Sequence, residues 1–421
     1  MLSPNPSPQA TTPSPPPQDP FALLPGVPTE ASPELLQESW QAYRQRFIQA
    51  DGRVIDWEAE GRSTSESQAY AMLRAVLIDD RETFDRTLKW GEDNLQRRAD
   101  NRPAQTAQGG AGTKATQGSA DRLWAWKWGA LPDNQWGILD RNFAVDADID
   151  AATALILAAR RWNEPAYLTL AQAKLQDIWN LSTVVANEAA PLSATNRRYL
   201  LPGPKDAFKK TDRLILNPSY YAPYAFRLFA QVDPPAHSPR DWNALAETSY
   251  VVLNGTVALS PVGLPGDWVA LDRDRHTFSP LLDDEEALTT RLTTQYAFDA
   301  YRVWWRVALD AQWFEAAAAE SFLRQNLVYL ADQWRSQQSI PAQLSLAGDP
   351  LVDYEATSQY GMLYAAFKQF DPKIAQSMFQ RKLFPSYQNG LWDDTSAYYS
   401  QNLAWLGLFP TETLPPQLLQ P

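Results

Sequence analysis

The chain has 421 residues, 44% of them hydrophobic and 12% aromatic, with 17 tryptophans, two histidines, no cysteine and a formal net charge of -12. So acidic a protein is a poor match for nucleic acid or an anionic membrane, since both reward a basic face, and a neutral ligand suits it better. Disulfides, thiolate metal sites and a cysteine nucleophile are excluded, and His237 and His276 stand in no metal-ligand frame, so an enzyme of this composition would work with carboxylates.

Residues 1–33 are rich in Pro, Ser, Thr and Gln, a composition that stays extended, and read as a tether. The segment lacks the basic and apolar regions of a signal peptide. An export signal or anchor ahead of it, and a secreted or periplasmic location, are the expectation. No apolar run reaches the roughly 18 residues that span a membrane.

From Ser32-Pro33 the pattern turns helical, with Leu35, Leu36, Trp40, Tyr43 and Phe47 three to four residues apart, and it ends near Ala50. Val54 to Trp57 reads as a short extended piece. Ser63 to Met72 then runs from a polar turn into a helix. Ser63 and Glu66 have the S-x-x-E spacing of a capping box. The alternative is that Glu66, followed by small residues and Tyr70, faces a binding site.

Ala69, Met72, Leu73, Val76 and Leu77 form one apolar stripe and Phe84, Leu88, Gly91 and Leu95 another, predicting two packed helices about an Asp79-Asp80 turn. Residues 99–120 have no periodicity and read as a flexible surface excursion. Leu123 to Gly129 alternates tryptophans as a strand would, placing Trp124, Trp126 and Trp128 on one side, as a core wall or a stacking platform. Asp146, Asp148 and Asp150 precede an Ala/Leu-rich helix over 151–161, where acids complement the helix dipole. Without the glycine and glutamate of an EF-hand they make a weak metal site.

Further helices are expected around Leu168 to Leu181, from Asn217 to about Ala230, and over 240–257, 284–309, 312–335, 354–370, 372–381 and 395–407. That gives about twelve, with no β-α alternation. Such a run predicts an all-α fold, a double ring in which inner and outer helices alternate, spanning residues 34–411 with a 412–421 tail. The inner helices would present their N-terminal loops at one end.

The segments STSESQAYAM, LWAWKWG, NQWGILDRNFAVDADIDAATALILAARRW, LNPSYYAP and YAFDAYRVWWRVALD, in this order and spacing, resemble glycoside hydrolase family 8 from about residue 35 to 410. The resemblance implies an (α/α)6 barrel with a cleft across one end, and an inverting endo-glycosidase closest to the cellulases, with a β-1,4-glucan as substrate and no metal or organic cofactor; a monomer is the expectation. Glu66 would be the general acid and Asp299 the general base. Asp146 would hold the distorted sugar with support from Asp148, Tyr220 would lie near the attacking water, and Arg302 would follow the base. Gln68 and Tyr70 belong to the acid's motif and are candidate substrate contacts, and Trp124, Trp126 and Trp128 become candidate stacking surfaces. Ser63, Thr64 or Ser65 could cap the helix and leave Glu66 free.

The chain departs from many members in carrying Ser67, Ala69 and Ala71 where they have glycine. Members acting on chitosan can take their base from another loop, which bears on Asp299. The alternatives are a xylanase or chitosanase of the same family, or a non-catalytic glycan-binding accessory protein.

Overall fold

A computed structural model describes residues 23–97 and 121–420, apart from 133, 235, 282–285 and 288–289. The expected excursion at 99–120 and the first 22 residues of the tether lie outside the described residues. Within the expected tether, Leu24 and Val27 are bonded through their backbone to the side chain of Gln380, so the chain is docked before residue 33.

Helix α1 (Pro33–Phe47) starts where Ser32 accepts the Leu35 amide and Pro33 fills the first turn. It buries Leu36, Trp40, Tyr43 and Phe47 on one face. Strand β1 (Ser63–Thr64) leads into α2 (Ser65–Leu77), and α3 (Arg81–Asn94) follows behind an Asp80 cap. A hairpin of β2 (Lys127–Ala130) and β3 (Trp136–Asp140) joins β1 in a three-stranded antiparallel sheet, with Ser63 opposite Trp128.

Then come α4 (Val145–Trp162), α5 (Pro165–Ser182), the antiparallel pair β4 (Thr183–Val185) and β5 (Arg198–Leu200), and the short α6 (Lys205–Phe208). Strand β6 (Arg213–Leu216) pairs with β7 (Val269–Asp272), which pairs with β8 (Phe278–Ser279). Between them lie α7 (Pro223–Val232) and α8 (Trp242–Val257). The chain continues through α9 (Phe298–Phe314), α10 (Ala317–Asn326), α11 (Val328–Gln337), α12 (Thr357–Phe370), α13 (Pro372–Met378) and α14 (Tyr398–Leu408).

Helices α2, α4, α7, α9, α12 and α14 pack each on the next, and α14 closes the ring on α2. Around them α3, α5, α8, α10, α13 and α1 back the successive inner helices. This is the (α/α)6 barrel expected from the helix count. Burial follows the layers: α4 is buried without interruption from Val145 to Ala158, as an inner-ring helix must be.

Two expected helices are corrected. The one expected over 284–309 begins only at Phe298, because Glu286–Ala287 pairs antiparallel with Thr290–Arg291 and Tyr296 bridges to Leu344, which keeps the chain before it extended. The one expected over 312–335 is broken: α9 runs on to Phe314 and ends at Glu315 with φ 50°, and α10 and α11 divide at Leu327. The C-terminal residues fold back as two 3-10 turns, with the carbonyls of Leu418 and Leu419 taken by Arg160 and Gln231. No helix among the described residues is long and apolar enough to cross a membrane.

Helices α12 and α14 meet backbone to backbone. A Cβ on Gly407 would stand 1.9 Å from the Gly361 carbonyl oxygen. Gly407→Ala is therefore expected to force the inner ring apart at a cost of about 2 kcal/mol or more. Thermal unfolding checks this as a drop of several degrees in Tm relative to wild type.

Candidate active site

The site begins with the way α2 starts. Thr64 is the N-cap, accepting the Ser67 amide at 3.0 Å while Ser67 Oγ accepts the Thr64 amide at 3.2 Å. Of the three candidate caps, Ser63, Thr64 and Ser65, it is thus Thr64 that caps the helix, boxed with Ser67, and the Ser63–Glu66 spacing forms no box. Ser63 instead donates to Val54 O and accepts from Arg53. With the cap supplied elsewhere, Glu66 is free to point into the barrel end.

Three inner helices place a carboxylate at the same point. Glu66, Asp146 and Asp299 are each the second residue of their helix, α2, α4 and α9. The N-termini of the inner helices gather at one end, and the three acids converge there on Arg302, one turn into α9. Arg302 Nη1 donates to Glu66 Oε2 at 2.7 Å and Asp146 Oδ2 at 2.8 Å; Nη2 donates to Asp299 Oδ1 at 2.5 Å and Ser219 Oγ at 3.1 Å. The guanidinium is 1% exposed and also lies 5.2 Å from the centre of the Tyr220 ring.

Glu66 keeps 20% of its side chain accessible and Asp299 32%, so both reach solvent from a buried base. Asp146 is buried, and its Oδ1 has no hydrogen-bond partner among the described residues. Burial lifts the Glu66 carboxyl to about 7, with the charges of Asp146 and Asp299 adding to it, against the pull of Arg302 and the Tyr398 hydroxyl. Asp299 is also raised, again by burial first; Arg302, Asn217 and Trp268 oppose the shift.

Helical geometry sorts the remaining expected residues. Asp148 is two positions from Asp146, about 200° round the helix, and faces away from Arg302. Its Oδ1 accepts the Trp124 amide at 3.2 Å and lies 3.5 Å from Lys174, and burial raises its carboxyl to about 7. It therefore anchors the segment before β2 and does not support Asp146. The reading of 146–150 as a lead-in to a helix at 151 concealed this, because α4 already runs from Val145.

Gln68, likewise two residues from Glu66, is fully buried among Val54, Gly52 and Thr87, which takes it out of the set of substrate contacts. Tyr70, four residues from Glu66, lies on the same face and is fully buried, its hydroxyl 3.3 Å from Arg302.

The three tryptophans do not share a face. Trp124 is fully buried, its ring on Gly91 and its indole N–H on Glu92, so it is core wall and not a stacking surface. Trp126 is half-buried, and its backbone joins Ser65 to Asn142 beside Glu66. Trp128, also half-buried, stacks on Trp136, whose own ring is exposed, and Arg53 lies over both rings. A strand only from Lys127 onward cannot impose alternation on residues 124 to 128.

Sequence reasoning missed Tyr398, which donates to Glu66 Oε1 at 2.9 Å, and Asn217, which donates to Asp299 Oδ2 at 3.1 Å. Asn217 was visible only as the start of NPSYY, and nothing local distinguishes Tyr398 from Tyr399. Beneath the site, Arg306 and Asp150 form a fully buried bidentate pair at 2.8 and 2.9 Å, four residues on from Arg302 and Asp146.

A closed (α/α)6 ring with three carboxylates at its N-terminal end, two of them reaching solvent, defines a barrel protein with an acid-centred site. Residues 28–411 match the sequence model of glycosyl hydrolases family 8, and the chain belongs to that family. It is 35% identical to an endoglucanase of Pseudomonas fluorescens (strain SBW25), over 55% of this chain and 50% of that protein, so the match spans about half of the relative's length. Among solved structures, the family 8 endoglucanase Cel10 from Klebsiella pneumoniae is 25% identical with a TM-score of 0.62, covering 88% of this chain and 97% of that one. A xylobiose complex of a family 8 protein from Teredinibacter turnerae shares the fold at 18% identity, with a TM-score of 0.65 and coverage of 90% and 93%.

A carboxyl raised by folding holds a proton that the unfolded chain releases, so its contribution to stability is present at low pH and is lost as pH climbs to its folded value. For Glu66 that window runs from about 4.5 to about 7. The Tm of Glu66→Gln relative to wild type is expected to rise between pH 5 and pH 8, roughly the span of this window. Scanning calorimetry over that range checks it; a constant difference would mean that Glu66 ionises as a free side chain does.

Proposed function

We propose that this protein is an inverting, endo-acting glycoside hydrolase that cleaves β-1,4-glucan chains, with Glu66 as general acid and Asp299 as general base. The observation that carries the reading is the sharing of Arg302: the two solvent-reaching carboxylates hold different terminal nitrogens of one guanidinium. That sharing holds the two carboxylates beside each other at the barrel end, within reach of one bound substrate. Inverting hydrolysis needs roughly 6.5–9.5 Å between its two carboxyls, so that a water fits between base and anomeric carbon.

Glu66, raised to about 7, is protonated in mildly acid solution and can deliver its proton to the glycosidic oxygen. Asp299, held by Arg302 and Asn217, takes the proton of the attacking water. Buried Asp146 has one oxygen free to accept a sugar hydroxyl. Tyr220, beside Arg302, borders the water's position. The glucan preference rests on the endoglucanase relatives, and xylan is the second reading because the Teredinibacter turnerae neighbour holds xylobiose.

Glu66→Gln and Asp299→Asn are each expected to lower the hydrolysis rate of soluble cellulose by about a hundredfold or more while keeping the far-UV circular dichroism spectrum of wild type. Proton NMR of the first products should give the α-anomer, and initial release of the β-anomer would overturn inversion. Wild type assayed on soluble cellulose, mixed-linkage glucan, xylan and chitosan should favour a glucan; faster cleavage of xylan would transfer the substrate assignment.

A further inference from the structure

Helix α9 carries the proposed base, yet its own cap position is empty of chemistry. Ala297 is the N-cap residue and supplies no side-chain hydrogen bond. A start of this kind leaves the first amides of the helix without acceptors unless something else reaches them. The missing acceptor comes from a different loop. Asp267, 33 residues before Ala300 and only 6% exposed, turns its Oδ1 to the Ala300 amide at 2.7 Å. Ala300 is the third residue of α9, and the third amide is one of the two that an N-cap aspartate bonds. Asp267 thus occupies from outside the place of a cap that the helix lacks.

The loop that brings it is fixed on both sides. The Asp267 amide bonds Gln295 O at 2.7 Å and the Gly266 amide bonds Thr256 Oγ1 at 2.9 Å. The next residue, Trp268, stacks on Phe208, and its side chain opposes the rise in the Asp299 pKa. Consecutive residues of one segment thus bear on the first turn of α9 and on the carboxylate that projects from it.

The charges around Asp267 decide its state. Asp299 and Arg302 on α9 face it, with the hydroxyls of Tyr296 and Tyr301 near it. No cation is bonded to it among the described residues, since Arg302 gives its Nη2 to Asp299 and Ser219. A second buried anion beside Asp299 would have, to offset it, only the Ala300 amide and the field of Arg302, which Glu66, Asp146 and Asp299 already share.

We propose that Asp267 is the positioning residue for the general base: a neutral buried acid that caps α9 in trans, so that Asp299 stays the ionised carboxylate at that helix end. The inference rests on Asp299 acting as base. Burial and the neighbouring Asp299 charge hold the Asp267 carboxyl well above the usual range, in keeping with the neutral form.

Two variants test it. Asp267→Asn keeps a carbonyl acceptor for Ala300 and is permanently neutral, so kcat on soluble cellulose should stay within about threefold of wild type with the acidic limb of the pH profile in place. Asp267→Ala removes the cap, and kcat should fall by about tenfold or more with KM within about twofold, because displacement of the base penalises the chemical step. Wild-type kcat in Asp267→Ala overturns the proposal, as does an acidic limb in Asp267→Asn moved down by about one pH unit, which would mean that Asp267 is normally charged.

Failure of the hydrolase reading is a separate result: wild type then cleaves none of the four polysaccharides. In that case hydrogen exchange decides the cap. Faster exchange at the Ala300 amide in Asp267→Ala, with wild-type exchange in Asp267→Asn, supports it, and unchanged exchange in Asp267→Ala overturns it.

Discussion

One buried cation organises this barrel end. A guanidinium taken wholly out of water costs several kcal/mol unless its donors are met by acceptors of opposite charge. Arg302 satisfies that demand with carboxylates from three helices, and in doing so fixes where α2, α4 and α9 stand relative to each other. The dependence runs both ways. Glu66, Asp146 and Asp299 could not lie so close without the charge between them, and Arg302 could not be buried without all three.

The same device is repeated down α9. Arg306, one turn below, takes Asp150 in a closed bidentate pair, and Asp310, a further turn on, takes Arg227 and the Tyr250 hydroxyl. The spacing of four residues keeps all three on one face of α9, and the same spacing puts Asp146 and Asp150 on one face of α4. The Arg306–Asp150 pair is closed to solvent and ties α9 to α4, while the buried Asp310 ties α9 to Arg227 of α7, whose side chain is 30% exposed. The geometry at Arg302 is thus set from beneath as well as from its own contacts.

Much of this was legible in the sequence because helical periodicity and helix order survive as pattern. Twelve helices, their inner and outer alternation and the gathering of inner N-termini at one end all follow from the spacing of apolar stripes. Glu66, Asp146, Asp299 and Arg302 emerged from motif resemblance, and the structure brings the four together. What was not legible depends on rotation about an axis or on partners distant in the chain. Asp148 and Gln68 sit in the same motifs as Asp146 and Glu66, but two residues is more than half a helical turn, so each faces the opposite way. Trp124 entered the core because residues 124–126 are not strand. The late start of α9 was hidden because Asp267, from another loop, bonds its Ala300 amide, and no window around Phe298 contains that information.

The balance between helix dipole and raised pKa at Glu66 can now be argued from position. A positive helix end favours a carboxylate, which opposes an acid catalyst. But Glu66, Asp146 and Asp299 hold the same second position of three inner helices, so the dipole acts on all of them in the same sense and cannot separate acid from base. Arg302 does not separate them either, since it bonds each. The difference lies in solvent. Each accepts one neutral donor, Asn217 for Asp299 and the Tyr398 hydroxyl for Glu66, but Asp299 keeps 32% of its side chain exposed and Glu66 only 20%. Loss of water raises a carboxyl's pKa. That trend keeps the proton on Glu66, as the proposed acid and base working across one bond require. On that reading the surroundings of the two carboxyls, and not the helices that carry them, separate their roles.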